Sequence, residues 1–85
     1  MVFKTEDANK AYMVYVMMGD EPKDLYESLL IGQIHYEFGR VEALENYIDN
    51  VPSTVRLENT QEIYRIIERI QVWLEARRLY KNAGK

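Results

Sequence analysis

The side chains that could carry out acid–base or nucleophilic chemistry are few and far apart in this chain of 85 residues. Cysteine is absent and His35 is the single histidine, so a nucleophile–base pair would have to join His35 to Ser28 or Ser53. A general base must lie within hydrogen-bonding reach of the proton it removes, and neither serine is placed on the strand-to-helix elbow that exposes a catalytic serine. The sequence therefore predicts no catalytic residue and a protein that is not an enzyme.

Metal and cofactor sites are predicted to be absent for similar reasons. Di-metal helical bundles use Glu-x-x-His motifs, but Gly32 stands three residues before His35. The pair Gly32 and Gly39 matches neither of the glycine patterns that bind nucleotides. His35 is expected to be a packing or surface histidine, with a pH-sensing or binding role as the alternative.

Basic residues gather in the last third of the chain, where they could contact an anion. Nucleic-acid binding depends mainly on lysine and arginine neutralising phosphates, which a formal net charge of −3 disfavours without excluding a local patch. The alternative is that these charges stabilise the negative end of a helix dipole. The candidate anion-contact residues are Arg65, Arg69, Arg77, Arg78 and Lys81.

Length and composition predict one small domain. A core of this size is marginal, and no disulfide can reinforce it, so association with another chain is the remaining route to stability. The longest apolar run, residues 11–18, is well short of the about 20 residues that span a membrane. The first residues are acidic where a secretion signal would be basic. We therefore expect a cytoplasmic protein that makes no membrane contact.

The first predicted helix covers about residues 5–18. Thr5 is a suitable N-cap and Gly19 a natural stop. The run 11–18 is apolar on every side and also permits a strand, but no second strand is available to pair with it, so a helix is preferred.

Two further helices are predicted. The second covers about residues 21–49, with Asp20 as its cap and Pro52 after its end. The third covers about residues 60–81, with Asn59 and Glu62 resembling a capping box. The connector between them is expected to carry some local structure, and residues 82–85 are expected to be a frayed tail.

The second predicted helix has two different faces. Large apolar residues form one stripe, while the opposite face carries small ones, Gly32 and Gly39 among them, flanked by Tyr36 and Tyr47. A glycine inside a helix often has a packing reason, so close approach of another helix is expected at both positions. The open alternatives are a dimer interface, a contact within the chain, and plain exposure to solvent. Glu37 interrupts the apolar stripe; it is expected to reach water, the alternative being an ion pair with Arg65 or Arg69.

These elements predict an all-α, three-helix bundle. The second and third helices should form an antiparallel hairpin, which the first helix is too short to cover completely. A second copy of the chain is the simplest cover for the apolar surface left over, so a homodimer is expected. The predicted interface residues, for dimer or partner, are Tyr12, Tyr15, Met17, Met18, Gly32, Tyr36, Gly39 and Tyr47.

The function predicted from these features is a non-enzymatic protein–protein interaction module that acts as a small inhibitor, adaptor or regulator of a partner whose identity the sequence does not give. Small acidic helical proteins without catalytic residues are common among virus- and plasmid-borne regulators, an analogy that extends the expectation to such a source. One alternative is a dimeric nucleic-acid-binding regulator that uses the basic C-terminal helix. A second alternative is a structural subunit of a larger assembly.

Overall fold

The computed structural model describes residues 2–83 and shows three α-helices and no strand in that part of the chain. These are α1 (Glu6–Met18), α2 (Leu25–Ile48) and α3 (Ser53–Ala83). The molecule measures 50 × 18 × 15 Å, and α2 and α3 share by far the most extensive contact. The prediction of an all-α fold is confirmed, including a helix over residues 11–18. None of the described helices is long and apolar enough to cross a membrane.

The start of α1 is held by contacts from outside the helix. Thr5 occupies the predicted N-cap position, but its side chain makes no capping hydrogen bond. Instead its backbone N–H donates to the Glu45 carboxylate at 2.9 Å, while Phe3 and Asn9 exchange two hydrogen bonds of 2.6 Å. The helix ends as predicted at Gly19, whose φ of 77° and ψ of 162° lie in a region that favours glycine.

The second helix begins four residues later than predicted. Its cap is Asp24 rather than Asp20, and the Asp24 carboxylate accepts the Glu27 backbone N–H at 3.0 Å. The residue before a proline avoids helical geometry, which excludes Glu21 from the helix, and the extended backbone of Asp24 places the first helical residue at Leu25. The helix ends at Ile48, one residue from its predicted end.

The third helix begins seven residues earlier than predicted. Ser53 follows Pro52 directly, and the Pro52 carbonyl accepts the Arg56 N–H at 2.9 Å to close the first turn. The predicted capping box at Asn59 therefore lies inside the helix, where the Thr60 hydroxyl donates to the Arg56 carbonyl at 2.9 Å. The expected ten-residue connector is wrong because proline starts a helix as readily as it ends one; only residues 49–52 join α2 to α3.

The end of α3 also extends beyond the prediction. Asn82 and Ala83 are helical, although they were assigned to a frayed tail. The other two residues of that predicted tail, 84–85, lie outside the described residues.

An apolar core runs between the three helices. Ile34 of α2 and Ile66 and Ile70 of α3 have no exposed surface. Phe3, which precedes the first helix, stacks on Phe38 with 5.5 Å between the ring centroids. The other buried apolar residues are Ala8, Ala11, Tyr15, Leu30, Ile31, Val41, Ile63, Ile67 and Leu74.

The contacts between α2 and α3 follow a regular order along both helices. The ammonium group of Lys23, just before α2, donates to the Tyr80 carbonyl at 2.7 Å. Further along α2, Glu37 pairs with Arg69 at 3.4 Å. Successive residues of α2 therefore contact progressively earlier residues of α3.

A buried ion pair joins the first turn of α2 to the last third of α3. Glu27 and Arg77 have no exposed surface, and the Arg77 Nε donates to Glu27 Oε1 at 2.9 Å. The Arg77 guanidinium carbon also lies 5.7 Å from the centroid of the Tyr15 ring. Arg77, predicted as a candidate anion-contact residue, therefore has its charge partnered by Glu27 inside the core.

This ion pair is not fully satisfied. Glu27 Oε2 and both terminal nitrogens of Arg77 find no hydrogen-bond partner among the described residues. A buried pair with unmet hydrogen bonds contributes little to net stability, although removal of one partner alone leaves an uncompensated charge.

We predict that Arg77→Met lowers the free energy of unfolding by about 3–5 kcal/mol, because Glu27 is then buried without its cation. The double variant Glu27→Leu/Arg77→Met should recover most of that loss. Urea denaturation followed by circular dichroism measures both. Equal stability of the single variant and the wild type would contradict this account of the pair.

We predict that Asp24 makes α2 sensitive to acid. Its pKa lies below the ordinary aspartate range because its carboxylate accepts the Glu27 backbone N–H and the Tyr80 hydroxyl. A lowered pKa in the folded state means that the stabilisation is present above the unfolded value near 3.8 and is lost as the pH falls through the folded value. Asp24→Asn keeps a good cap but removes the titration, so its melting temperature should fall less between pH 4 and pH 2 than that of the wild type. If the melting temperatures of both proteins fall equally, a group other than Asp24 causes the acid sensitivity.

Candidate interaction surfaces

The outer side of α1 presents apolar side chains to solvent. Met13, Val16 and Met17 are 59%, 51% and 81% exposed, and we call these three residues the α1 strip. They lie opposite Ala8 and Tyr15, which are buried against the other helices. The predicted all-round apolar helix therefore uses one side for the core and leaves the other uncovered by this chain.

The predicted interface residues of α1 divide between these two sides. Met17 belongs to the exposed strip, whereas Tyr12 and Met18 are partly buried against the core. Tyr15 is only 2% exposed, and its hydroxyl lies 2.6 Å from the Nε2 atom of His35. The prediction of Tyr15 as a partner contact is corrected by its burial within the chain.

Burial also changes the acidity of Tyr15. It raises the pKa of the phenol far above its ordinary value, and the nearby Asp20 carboxylate adds to the rise. The contact with His35 rests on the geometry, since the phenol oxygen and the imidazole nitrogen are within hydrogen-bond distance. That contact gives His35 a packing role in which its ring meets Tyr15 edge to face, with centroids 5.2 Å apart.

The outer side of α2 is a continuous uncharged stripe. Its large residues Leu25, Leu29, Tyr36 and Tyr47 are 76%, 61%, 64% and 55% exposed. At the 100° helical spacing, small residues fall between them on the same face. We call the set the α2 stripe; it consists of Leu25, Leu29, Gly32, Tyr36, Gly39, Ala43 and Tyr47.

The two glycines of the α2 stripe face open space within the single chain. Both are exposed, and a Cβ atom added to Gly32 or Gly39 would meet nothing within 4 Å. Of the alternatives that the sequence leaves open, a contact within the chain is therefore excluded, because α1 and α3 both pack on other sides of α2. Within one protomer, no other helix covers the face of α2 that carries the two glycines.

Two open grooves flank α1. The one between α1 and α2, with a volume of about 360 Å³, borders the α2 stripe at Gly39 and contains His35. The other, with a volume of about 220 Å³, lies between α1 and α3. Its lining is mixed, with apolar Val14 and Leu74 beside charged Lys10 and Arg78.

Glu37 lies at the centre of an ion-pair network that ties α2 to α3. It is 5% exposed and pairs with Arg40 at 3.5 Å and with Arg69 at 3.4 Å. Glu62 pairs with Arg40 at 3.0 Å and with Arg65 at 3.2 Å, and these cations lower its pKa, Arg65 most strongly. The expectation that Glu37 reaches water is wrong, and of its two proposed partners Arg69 is the one it contacts.

The remaining predicted anion-contact residues also have partners within the chain. Arg77 is fully buried, so it is not accessible to an external anion. Arg78 pairs with Glu75 at 2.6 Å and lowers the pKa of that carboxyl. Lys81 donates to the Met18 carbonyl at 3.1 Å. The structure thus does not bring the five basic residues together as one free positive surface.

Of the three acidic residues on the buried side of α2, the sequence pattern singles out Glu37, whereas Glu27 and Glu45 are the main feature missed from the sequence. Glu27, Glu37 and Glu45 are separated by ten and eight residues, which keeps all three on the buried side of the helix. Each accepts a donor from another segment, namely Arg77, Arg69 and the Thr5 N–H respectively. The signal was present in the sequence, because acids inside an apolar stripe require buried partners.

No protein-family model matches the chain, and no curated protein or solved structure is significantly similar to it. Among residues 2–83, no three histidine, aspartate or glutamate side chains are grouped so that they could hold a metal ion.

We predict that Gly32→Ala and Gly39→Ala each raise the free energy of unfolding of the isolated protomer by about 1 kcal/mol, the helix-propensity difference. Open space at both positions removes any steric penalty. Gly19→Ala is the matched control and should destabilise, because its φ of 77° strains a side chain. Thermal melts at low protein concentration test all three. Destabilisation by the helical substitutions would show that another helix does approach them.

Proposed function

We propose that this protein is a non-enzymatic protein–protein interaction module that works in the cytoplasm as a homodimer. It acts as a small inhibitor, adaptor or regulator of another protein. The observation that carries the proposal is the α2 stripe, an uncharged apolar surface along the whole length of a helix that the chain itself leaves uncovered.

Contiguity distinguishes this surface from ordinary exposed apolar residues. Single exposed leucines are common on soluble proteins, whereas contiguous apolar patches mark binding surfaces. Tyrosine and methionine are also enriched in interfaces. The outer side of α3 differs, because its exposed Val72 and Leu79 are separated by charged Glu75 and Arg78.

The proposed protomer is an antiparallel hairpin of α2 and α3 with α1 packed beside it. The order of contacts supports the hairpin, since Lys23 reaches Tyr80 while Arg40 reaches Glu62. Short helical bundles of this size often need a second chain for stability. The α2 stripe serves this purpose in the proposal, which leaves the α1 strip for the regulated partner.

The α1 strip suits a partner with an apolar surface or groove. Methionine side chains adapt to irregular surfaces, and Met13 and Met17 lie one turn apart on the same side of α1. The ion pair between Glu6 and Lys10, at 3.5 Å, lies one turn before them and supplies a polar rim. Such a surface favours a protein over a nucleic acid, and the internal pairing of the basic residues of α3 supports the same choice.

We predict that Met13→Ser/Met17→Ser reduces capture of the partner from a lysate of the source cells by about tenfold or more, as expected for central interface residues. Val72→Ser is the matched control, because Val72 is equally exposed but lies on the outer side of α3. Quantitative mass spectrometry compares the recovered proteins. Capture of no protein, or equal capture by the methionine variant, would contradict the proposed function. Light scattering that shows growth beyond a dimer would favour a structural subunit instead.

A further inference from the structure

We propose that the α2 stripe packs against the same stripe of a second copy of this chain, with the two helices antiparallel and related by a two-fold axis at the level of Ile34. This inference rests on the proposed homodimer and specifies its orientation and register. It uses the α2 stripe alone and assigns no role to the α1 strip.

The spacing of the stripe is that of a helix-pairing seam. The residues from Leu25 to Ala43 follow one another at intervals of four, three, four, three and four. Alternating steps of three and four keep side chains along one line that faces a partner helix. The buried side of α2 already contacts α3 and α1, so this second seam is free for another chain.

The sizes of the side chains along the seam determine the orientation. An antiparallel arrangement about Ile34 places Leu25 against Ala43 of the second copy and Leu29 against its Gly39. It also places Tyr36 against Gly32 of the second copy. Leu25, Leu29 and Tyr36 then each meet a small residue, which permits the dense packing of protein interiors, while Tyr47 lies beyond the start of α2 in the second copy.

A parallel arrangement lacks this complementarity. It would place Tyr36 against Tyr36 and Gly32 against Gly32, so that tight spots alternate with gaps along the seam. Both gaps and overpacking destabilise a contact between helices. The size pattern therefore favours the antiparallel orientation.

Charge is also compatible with this register. The seam has no ionised residue, although each chain has a net charge of −3. At its edges, Arg40 would lie beside Tyr26 of the second copy and Glu42 beside its Ser28. Neither edge residue faces a like charge, and an arginine near a tyrosine ring is a favourable contact.

The length of the stripe suits a dimer interface. With a rise of about 1.5 Å per residue, the 24 residues of α2 span about 36 Å of a molecule 50 Å long. A stable interface buries about 800 Å² per partner, and a seam of this length engages side chains along most of the molecule, as an interface of that size requires.

Site-specific cross-linking tests the register directly, because the chain has no natural cysteine. Gln33→Cys lies beside the proposed axis, so a short bismaleimide should convert this variant to a covalent dimer. Leu25→Cys or Ala43→Cys alone should not cross-link, because about 18 residues, or 27 Å, separate the two copies of each. An equal mixture of the Leu25→Cys and Ala43→Cys proteins should cross-link. Cross-linking of each end variant with itself, or of none of these proteins, would overturn the proposal.

A second experiment separates the dimer from the fold. Gly32→Leu/Gly39→Leu fills the space that Tyr36 and Leu29 of the second copy would occupy, while each added Cβ meets nothing in the protomer. Circular dichroism should show a folded helical protein, and sedimentation should show dimerisation weakened by about tenfold or more. Val72→Leu, on the outer side of α3, should dimerise like the wild type. A folded double variant that dimerises like the wild type, or a wild type that stays monomeric at high concentration, would overturn the proposal. Partner capture is a separate measurement, so failure of the α1 strip and failure of the dimer can be distinguished.

Discussion

Three acidic side chains on the buried side of α2 need donors from other parts of the chain, and this requirement determines how the other segments sit against that helix. Glu27 accepts a hydrogen bond from Arg77, Glu37 accepts one from Arg69, and Glu45 accepts one from the backbone N–H of Thr5. An interface of isoleucines alone can slide by one turn at moderate cost, because one isoleucine fits much like another. An interface with a buried carboxylate cannot slide in this way, since the shift would leave the carboxylate without its hydrogen-bond donor. Polar contacts thus fix the register within a core whose packing is apolar.

This arrangement explains why the two sides of α2 differ so strongly. The buried side combines apolar residues with acids whose partners lie in the same chain, whereas the exposed side has leucine, tyrosine and small residues without charge. Two glycines in the middle of a helix lower its stability by about 2 kcal/mol relative to alanine, and no contact within the protomer offsets this loss. The proposed second copy supplies the missing reason, because only glycine leaves room there for a tyrosine or a leucine.

Local signals predicted the fold class and the first helix well. Gly19 marks its end through a backbone preference that needs no tertiary contact, whereas Thr5 stands at its start without a side-chain cap and donates its N–H to Glu45. The start of α3 was misplaced because Asn59 and Glu62 imitate a capping box, while nothing between Ser53 and Asn59 breaks a helix once Pro52 has started it. Hydrophobic spacing could not show which side of α1 is buried, because that helix is apolar on all sides. The burial of Tyr15 and Arg77 depends on His35 and Glu27, which are distant in sequence, so single-helix patterns did not reveal it.

The attachment of α1 has a consequence for motion. This helix shares far less contact with α2 and α3 than they share with each other. Its Ala8, Ala11 and Tyr15 pack in the core, while polar contacts hold its two ends, at the Thr5 N–H and the Met18 carbonyl. Elements with few apolar contacts open at the lowest free energy and act as separate cooperative units. We therefore expect its amide hydrogens to exchange through detachment of α1 while the α2–α3 pair stays intact. The α1 strip therefore lies on the helix that we expect to detach first. A partner that binds the strip would hold α1 against the other two helices and so increase its local order.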